Sequence, residues 1–338
     1  MRTLCTLLLA CPLLFAQAKK VPAKIFELSP PGQAGLAELP DLIETAMRRA
    51  YTMDLPEPVH RLSDLAFLPP DRKERLDLYV RHGRDLKVRQ PGVLFIHGGG
   101  FTGGDKAEYR SASVSADLAR AGYVVVSCNY ALGSKTDPSV WPRNIADCRA
   151  AVRWMRANAD ALGLDPARIA VAGGSAGGYL ALMVGLSDDR AGPGGDPAAK
   201  HSAKVSAVID MYGVTDFSKH GRGDIPGVPA DRQWTFLPAR QADAGDPPVL
   251  ILHGTADTTV ALGQSELMVA ALAKAGVDHE YVVVEGAPHT FDLRPRGKSW
   301  TRTGAVAGRA VSSSSETPDV RGVTLEFLAR AVGRPAAR

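Results

Sequence analysis

Residues 169–186 read Ile-Ala-Val-Ala-Gly-Gly-Ser-Ala-Gly-Gly-Tyr-Leu-Ala-Leu-Met-Val-Gly-Leu. Ile169–Ala172 is a short apolar run of the kind that forms a strand covered on both faces. Ala176–Leu186 is apolar enough for a buried helix. Between them Gly173-Gly174-Ser175-Ala176-Gly177 has the form G-x-S-x-G. A strand that turns directly into a helix needs small residues at the corner, and the serine at its apex projects its hydroxyl.

The same alternation extends in both directions. Strands are predicted over Val59–Phe67, Arg75–Val80, Val93–His97 and Tyr123–Ser127 on the amino-terminal side. Val205–Met211, Val249–His253 and Tyr281–Val284 follow on the other. Helices are predicted over Ala107–Ala121, Pro142–Ala161, Gly263–Ala275 and Val320–Ala331. Strands alternating with helices imply an α/β fold, a mostly parallel sheet of about eight strands with helices on both faces. Gly213–Pro248 and Leu293–Pro318 break the rhythm and read as surface excursions from a single catalytic domain over 59–335.

Composition is that of a globular chain: 338 residues, 45% hydrophobic and 22% charged, which excludes a disordered or fibrous protein. The net charge of +4 raises nucleic acid as a partner, but the surplus is concentrated in Arg294, Arg296, Lys298, Arg302 and Arg309. The remainder is near neutral, so a nucleic-acid-binding domain is excluded. The basic segment reads either as a solvated loop or as a rim favouring anionic substrates.

Arg2, the apolar run Leu4–Phe15 and Ala16-Gln17-Ala18 read as an export leader over 1–18, cleaved after Ala18. The run is too short for a membrane span. Cys11 hints at a lipoprotein anchor, against which Leu9 and Pro12 argue, so a secreted or periplasmic protein is expected, with a Pro- and Ala-rich extension over 19–58. Cleavage leaves Cys128 and Cys148, too few for a zinc site, and either one bridge or two buried thiols. Oligomeric state is not legible.

Ser175 needs a base. His289, in Gly286-Ala287-Pro288-His289-Thr290-Phe291, follows the last strand. Asp257 follows the preceding one and is the candidate to orient it, with Asp210 and Asp216 as second choices. His97 and His253 each precede glycine and read as loop-shaping residues. His97-Gly98-Gly99-Gly100-Phe101 can gather backbone amides at one point, so Gly99, Gly100 and Ala176 are the expected oxyanion donors. Gly98–Gly103 also fits G-x-G-x-x-G, but Cys128-Asn129 stands where a dinucleotide site needs an acid, and Asp105-Lys106-Ala107 does not complete a phosphate loop. Neither a metal motif nor a cofactor is indicated.

With these residues in view the chain resembles the α/β-hydrolase superfamily. More narrowly it resembles the acetyl-esterase and feruloyl-esterase-like branch (BD-FAE type), related to hormone-sensitive-lipase-like carboxylesterases. Phe95–Phe101 with Gly104-Asp105-Lys106, Asp147–Trp154, Asp165–Ile169, the serine turn, Leu252-His253-Gly254 and Ala287-Pro288-His289 carry the likeness. It implies cofactor-free hydrolysis of short acyl or aryl esters, acetyl or feruloyl groups on plant polysaccharide among them, with Ser175, His289 and Asp257 as the triad. Phe101 stands where the family often has Trp, and Thr290 where it often has Gly. Phe101, Tyr212 and Phe291 are the expected substrate-contacting residues. A peptidase or amidase on the same triad, or a silent binding protein on the same scaffold, are the alternatives.

Overall fold

The computed structural model describes residues 25–28, 59–134, 140–188, 195–220, 225 and 228–336. The expected leader over 1–18 with its Cys11, and all of the extension over 19–58 but residues 25–28, lie outside them.

All seven residues of β4 (Gln90–Ile96) and all six of β8 (Val249–Gly254) are buried, which is why each contains an unbroken apolar run, Val93–Ile96 and Val249–Leu252. Each fully buried Leu or Val contributes about 1.5–3 kcal/mol relative to exposure. Around them stand β1 (Ile25–Leu28), β2 (Val59–Leu65), β3 (Leu76–Arg81), β5 (Val124–Cys128), β6 (Leu164–Gly174), β7 (Ala207–Met211) and β9 (His279–Val284). β10 (Trp300–Val306) and β11 (Arg309–Ser315) complete one sheet, ordered β1-β2-β3-β5-β4-β6-β7-β8-β9-β10-β11. The run from β5 to β9 is parallel, whereas β3 is antiparallel to both its neighbours.

Helices α1 (Tyr109–Arg120) and α6 (Val320–Ala331) bury Leu118, Val323 and Phe327 against one face. The other face is covered by α2 (Arg143–Ala157), the single turn α3 (Ala159–Leu162), α4 (Ala176–Leu186) and α5 (Gly263–Ala275). In α4, Gly185 is the one residue short of full burial, consistent with a helix apolar on every side. None of the described helices is long and apolar enough to cross a membrane.

The eight expected strands are present, and among the described residues three more join them. The expectation that Leu293–Pro318 is a plain excursion is corrected: most of it is the β10–β11 hairpin, paired antiparallel onto β9. Its exposed positions alternate, Thr301 and Thr303 facing out, so one side leans on the body through Trp300 and Arg302. Gly213–Pro248 carries short 3₁₀ turns at Phe217–Lys219, Ala230–Phe236 and Pro238–Arg240. Cys128 and Cys148 are free and buried.

Because β4, β6, β8 and β9 are parallel, their carboxyl ends lie on one edge of the sheet. The loops leaving that edge carry Gly98–Phe101, Ser175, Asp257 and His289.

Candidate active site

Strand β6 stops at Gly174 and α4 starts at Ala176, so a single residue makes the turn. Ser175 has φ 58° and ψ −120°, a conformation that costs a non-glycine residue about 1–3 kcal/mol. The close packing explains its neighbours. A Cβ on Gly173 would lie 2.2 Å from the Gly177 carbonyl oxygen, and one on Gly177 would lie 2.0 Å from that of Ile96. The Ser175 amide donates to the Met211 carbonyl at 2.8 Å, which ties the strained turn to β7.

His289 Nε2 is 3.0 Å from Ser175 Oγ, and its Nδ1 is 2.6 Å from Asp257 Oδ2. The carboxylate can only accept, so Nδ1 carries the proton and Nε2 is free to accept from the serine hydroxyl. Asp257 Oδ1 takes the amides of Thr259 (2.8 Å) and Val260 (2.9 Å). Burial pushes this carboxyl up, but the hydrogen bonds from His253, His289 and the Val260 amide outweigh it and hold it below the usual carboxylate range. Asp257 is therefore a fixed anion beneath the imidazole. The sequence candidates Ser175, Asp257 and His289 are thus brought into one hydrogen-bonded chain.

The second choices for the acid serve elsewhere. Asp210 Oδ1 accepts from the Gly213 amide at 2.9 Å in the core, where burial pushes its pKa up to about 7. Asp216 caps the Phe217–Lys219 turn by accepting from the Ser218 amide.

The Gly98–Phe101 loop lies against the serine. A Cβ on Gly98 would meet Ser175 Cβ at 3.3 Å. Gly99 (φ 115°), Gly100 (61°) and Phe101 (66°) follow one another in left-handed conformation, curling the backbone into a tight concavity of amides. Thr102 and Gly103 close it by donating to the Gly99 carbonyl. The amide of Ala176, in the first turn of α4, stands beside it. His97 is buried and its pKa is lowered by that burial, so it is neutral; Nδ1 donates to the Gly98 carbonyl at 2.7 Å and the ring stacks on Tyr130 at 4.4 Å.

Phe101 opens an aromatic wall. Its ring centroid is 5.0 Å from Trp141, 5.3 Å from Tyr179 and 5.9 Å from Phe217. The Trp141 indole donates to the Tyr179 hydroxyl (3.0 Å), which donates to the Phe236 carbonyl (2.9 Å).

Tyr212 and Phe291 do not stand in the cleft as expected. Both are 0% exposed. Thr290 and Asp292 have positive φ on either side of Phe291, and this kink drops its ring into the core 5.2 Å from Tyr212. Tyr212 presents its edge to His289 at 4.8 Å, so it backs the imidazole.

Sequence reasoning missed several partners. Tyr212 donates its hydroxyl to Asp292, which also receives Arg110 Nε at 3.0 Å and another guanidinium nitrogen at 3.3 Å. This fastens the histidine loop to the first turn of α1. His253 Nε2 reaches the Val260 carbonyl (2.9 Å) and lies 3.3 Å from Asp257 Oδ2, while its Nδ1 accepts from the Ser265 hydroxyl (2.7 Å). The order Leu252-His253-Gly254…Asp257 was the available signal for the last.

The profile of the BD-FAE family matches residues 76–272, more than half of the chain. Carboxylesterase NlhH of Mycobacterium tuberculosis is 41% identical over 256 residues, covering 73% of this chain and 72% of that protein. Esterase LipQ of the same organism is 30% identical over 272 residues, covering 73% of this chain and 63% of that protein. The chain spans about six-tenths of the length of LipQ and of two further mycobacterial relatives, LipM and LipC. Among solved structures, Thermogutta terrifontis esterase 2 phosphonylated by cyclosarin superposes with a TM-score of 0.63 at 29% identity, covering 80% of this chain and 94% of that one. The propionate-bound form of that esterase gives 0.58 at 30% identity, covering 71% and 88%. With its α/β sheet and the serine turn inside the matched region, the chain belongs to the BD-FAE family.

Proposed function

We propose that the protein is a serine carboxylesterase acting on short acyl esters. The observation that carries this is the chain Asp257–His289–Ser175, at 2.6 and 3.0 Å, beside the curled amides of Gly99 and Gly100. Ser175 Oγ attacks the ester carbonyl as its proton passes to His289 Nε2. The oxygen gains negative charge and is held by the amides of Gly99, Gly100 and Ala176, each worth about 3 kcal/mol in the transition state. Collapse expels the alcohol, which takes the proton from Nε2–H. Water then repeats the sequence on the acyl-serine and releases the acid. Asp257 keeps the imidazole in the required tautomer throughout.

Support for short acyl groups comes from the wall of Phe101, Trp141, Tyr179 and Phe217. Phe101, Tyr179 and Phe217 are almost fully buried against one another, a filled surface beside the oxyanion loop. The propionate- and butyrate-bound forms of the Thermogutta esterase point the same way. Acetyl or feruloyl groups on plant polysaccharide are the ester groups this reading favours. The leader read at residues 1–18 supports action outside the cytoplasm.

The test is hydrolysis of nitrophenyl acetate, butyrate and octanoate by the wild type and by Ser175→Ala. Loss of turnover in the variant and a rate falling with chain length are expected. Undiminished turnover by Ser175→Ala would falsify the assignment.

A further inference from the structure

The expected basic run from Arg294 to Arg309 is divided by the fold. Arg302 is consumed within the body, paired with Glu280 at 3.2 Å and Glu326 at 3.3 Å. Arg309 begins β11 at the end of the hairpin remote from the site, opposite Val306. Arg294, Arg296 and Lys298 remain. None is paired with a carboxylate among the described residues, and all three lie between His289 and β10.

Their backbone is fixed at the catalytic edge. The Arg294 amide donates to the Phe291 carbonyl (2.9 Å), that of Arg296 to the Arg294 carbonyl (2.8 Å) and that of Lys298 to the Glu285 carbonyl just past β9 (2.8 Å). The segment is also anchored by the Asp292–Arg110 pair. Arg294 lies over the ring of Tyr109 at 5.9 Å. Tyr109 opens α1, which follows β4, so it stands on the same edge; its side chain is 78% exposed, the largest exposure of any big apolar or aromatic residue described. An exposed aromatic face with a cation held against it is a platform for a ring that bears negative charge.

The acids nearby offset this positive charge only in part. Asp292 is paired with Arg110 and burial pushes the Glu108 carboxyl up, whereas the hydrogen bond from Asn129 holds Asp105 as an anion. Glu285 is exposed and accepts from the Thr255 hydroxyl.

Chemistry decides which part of a substrate meets these groups. His289 Nε2 must deliver a proton to the departing alcohol oxygen, so the alcohol lies on the histidine side of Ser175. The acyl group lies toward Phe101. The loop that carries the cations therefore borders the alcohol.

We propose that Arg294, Arg296 and Lys298, with the ring of Tyr109, form a subsite for an alcohol moiety bearing a carboxylate. The favoured substrate is then a short acyl ester of a uronic acid or of a hydroxyaryl acid. This rests on the esterase reading, and the experiment separates the two. Two matched pairs are compared: 4-acetoxybenzoate with its methyl ester, and acetylated uronic-acid oligosaccharide with acetylated neutral xylo-oligosaccharide. The readout is the ratio of kcat/KM, charged over neutral. In the wild type at low ionic strength this ratio is expected to exceed that of Arg294→Gln/Arg296→Gln/Lys298→Gln about tenfold, and to fall in about 0.5 M salt. Tyr109→Ala should lower it as well, by about threefold. A response confined to one pair supports the subsite and names the carboxylate source. An unchanged ratio in both pairs overturns it while leaving the esterase intact. Absence of turnover on every ester overturns the esterase reading itself, and the subsite with it.

Discussion

His253 lies 3.3 Å from the very oxygen of Asp257 that receives His289, and it is 0% exposed. Its Nε2 proton is fixed by the Val260 carbonyl, which can only accept, so the ring presents a donor to Asp257 and an acceptor to Ser265. A residue that reads in the sequence as a loop former thus also steadies the carboxylate of the triad.

His253→Asn, too short to reach Asp257, should lower kcat about tenfold with KM little changed, because the loss is confined to the transition state. His253→Gln extends a donor to the same position and should recover most of that loss. Equal damage in both variants, with kcat and KM moving together, would mean that the ring only fills space.

Asp257→Asn preserves volume but reverses the hydrogen-bond polarity at His289 Nδ1. The wrong tautomer then faces Ser175, and kcat should fall by about 10³–10⁴. Circular dichroism should remain that of the wild type. A loss of less than about tenfold would assign the orienting role elsewhere.

Asp210 gives a stability signature. Burial raises its folded pKa from 3.8 to about 7, so between those values the folded state holds a proton the unfolded state has lost. Stability contributed by the protonated form is full below pH 3.8 and declines as pH rises toward 7, by the order of a few kcal/mol. Asp210→Asn should flatten that decline and gain most, relative to the wild type, above pH 7. Denaturant melts at pH 5 and pH 8 measure it; the same difference at both values would contradict the assignment.

Arg110→Leu leaves the Asp292 carboxylate buried without its cation and should cost about 3 kcal/mol. Because Asp292 stands three residues beyond His289, kcat should fall too. Arg110→Lys, which lacks the two-pronged geometry, should lie between. Calorimetry with parallel kinetics would show the two losses tracking each other.

Trp141→Ala removes one side of the wall beside Phe101. Turnover of hexanoyl relative to acetyl esters should rise about tenfold as the cavity opens. An unchanged chain-length profile would place the acyl group elsewhere.

The central strands were legible because Val93–Ile96 and Val249–Leu252 are continuous apolar runs, each followed by His-Gly, the pattern that burial on both faces imposes. The hairpin was not. Gly304 and Ser312–Ser315 carry little apolar signal, since β10 is held by backbone pairing to β9 and β11 to β10, and only one side meets the body. Ser175, Asp257 and His289 could be read from motif and order because each follows a strand of a parallel sheet. Arg110 and Asp292 are 182 residues apart, a pairing that no local pattern records. Phe291 misled for a related reason: adjacency to the histidine says nothing of which way a positive-φ kink will turn the next ring.

The hairpin also offers a handle. The loop bearing His289 is closed at its base by the pairing of Val284 with Trp300, so its ends are pinned and little freedom passes through it. From that base the seven residues of β10 run about 20 Å away from the chemistry to Ala307 and Gly308. The Ala307 amide is tied there to Asp278 by two bonds of 2.9 Å. A label, tether or short peptide attached at Gly308, which has open space around it, would report on or immobilise the protein from the opposite end of the sheet. The catalytic mouth would be left facing the solution.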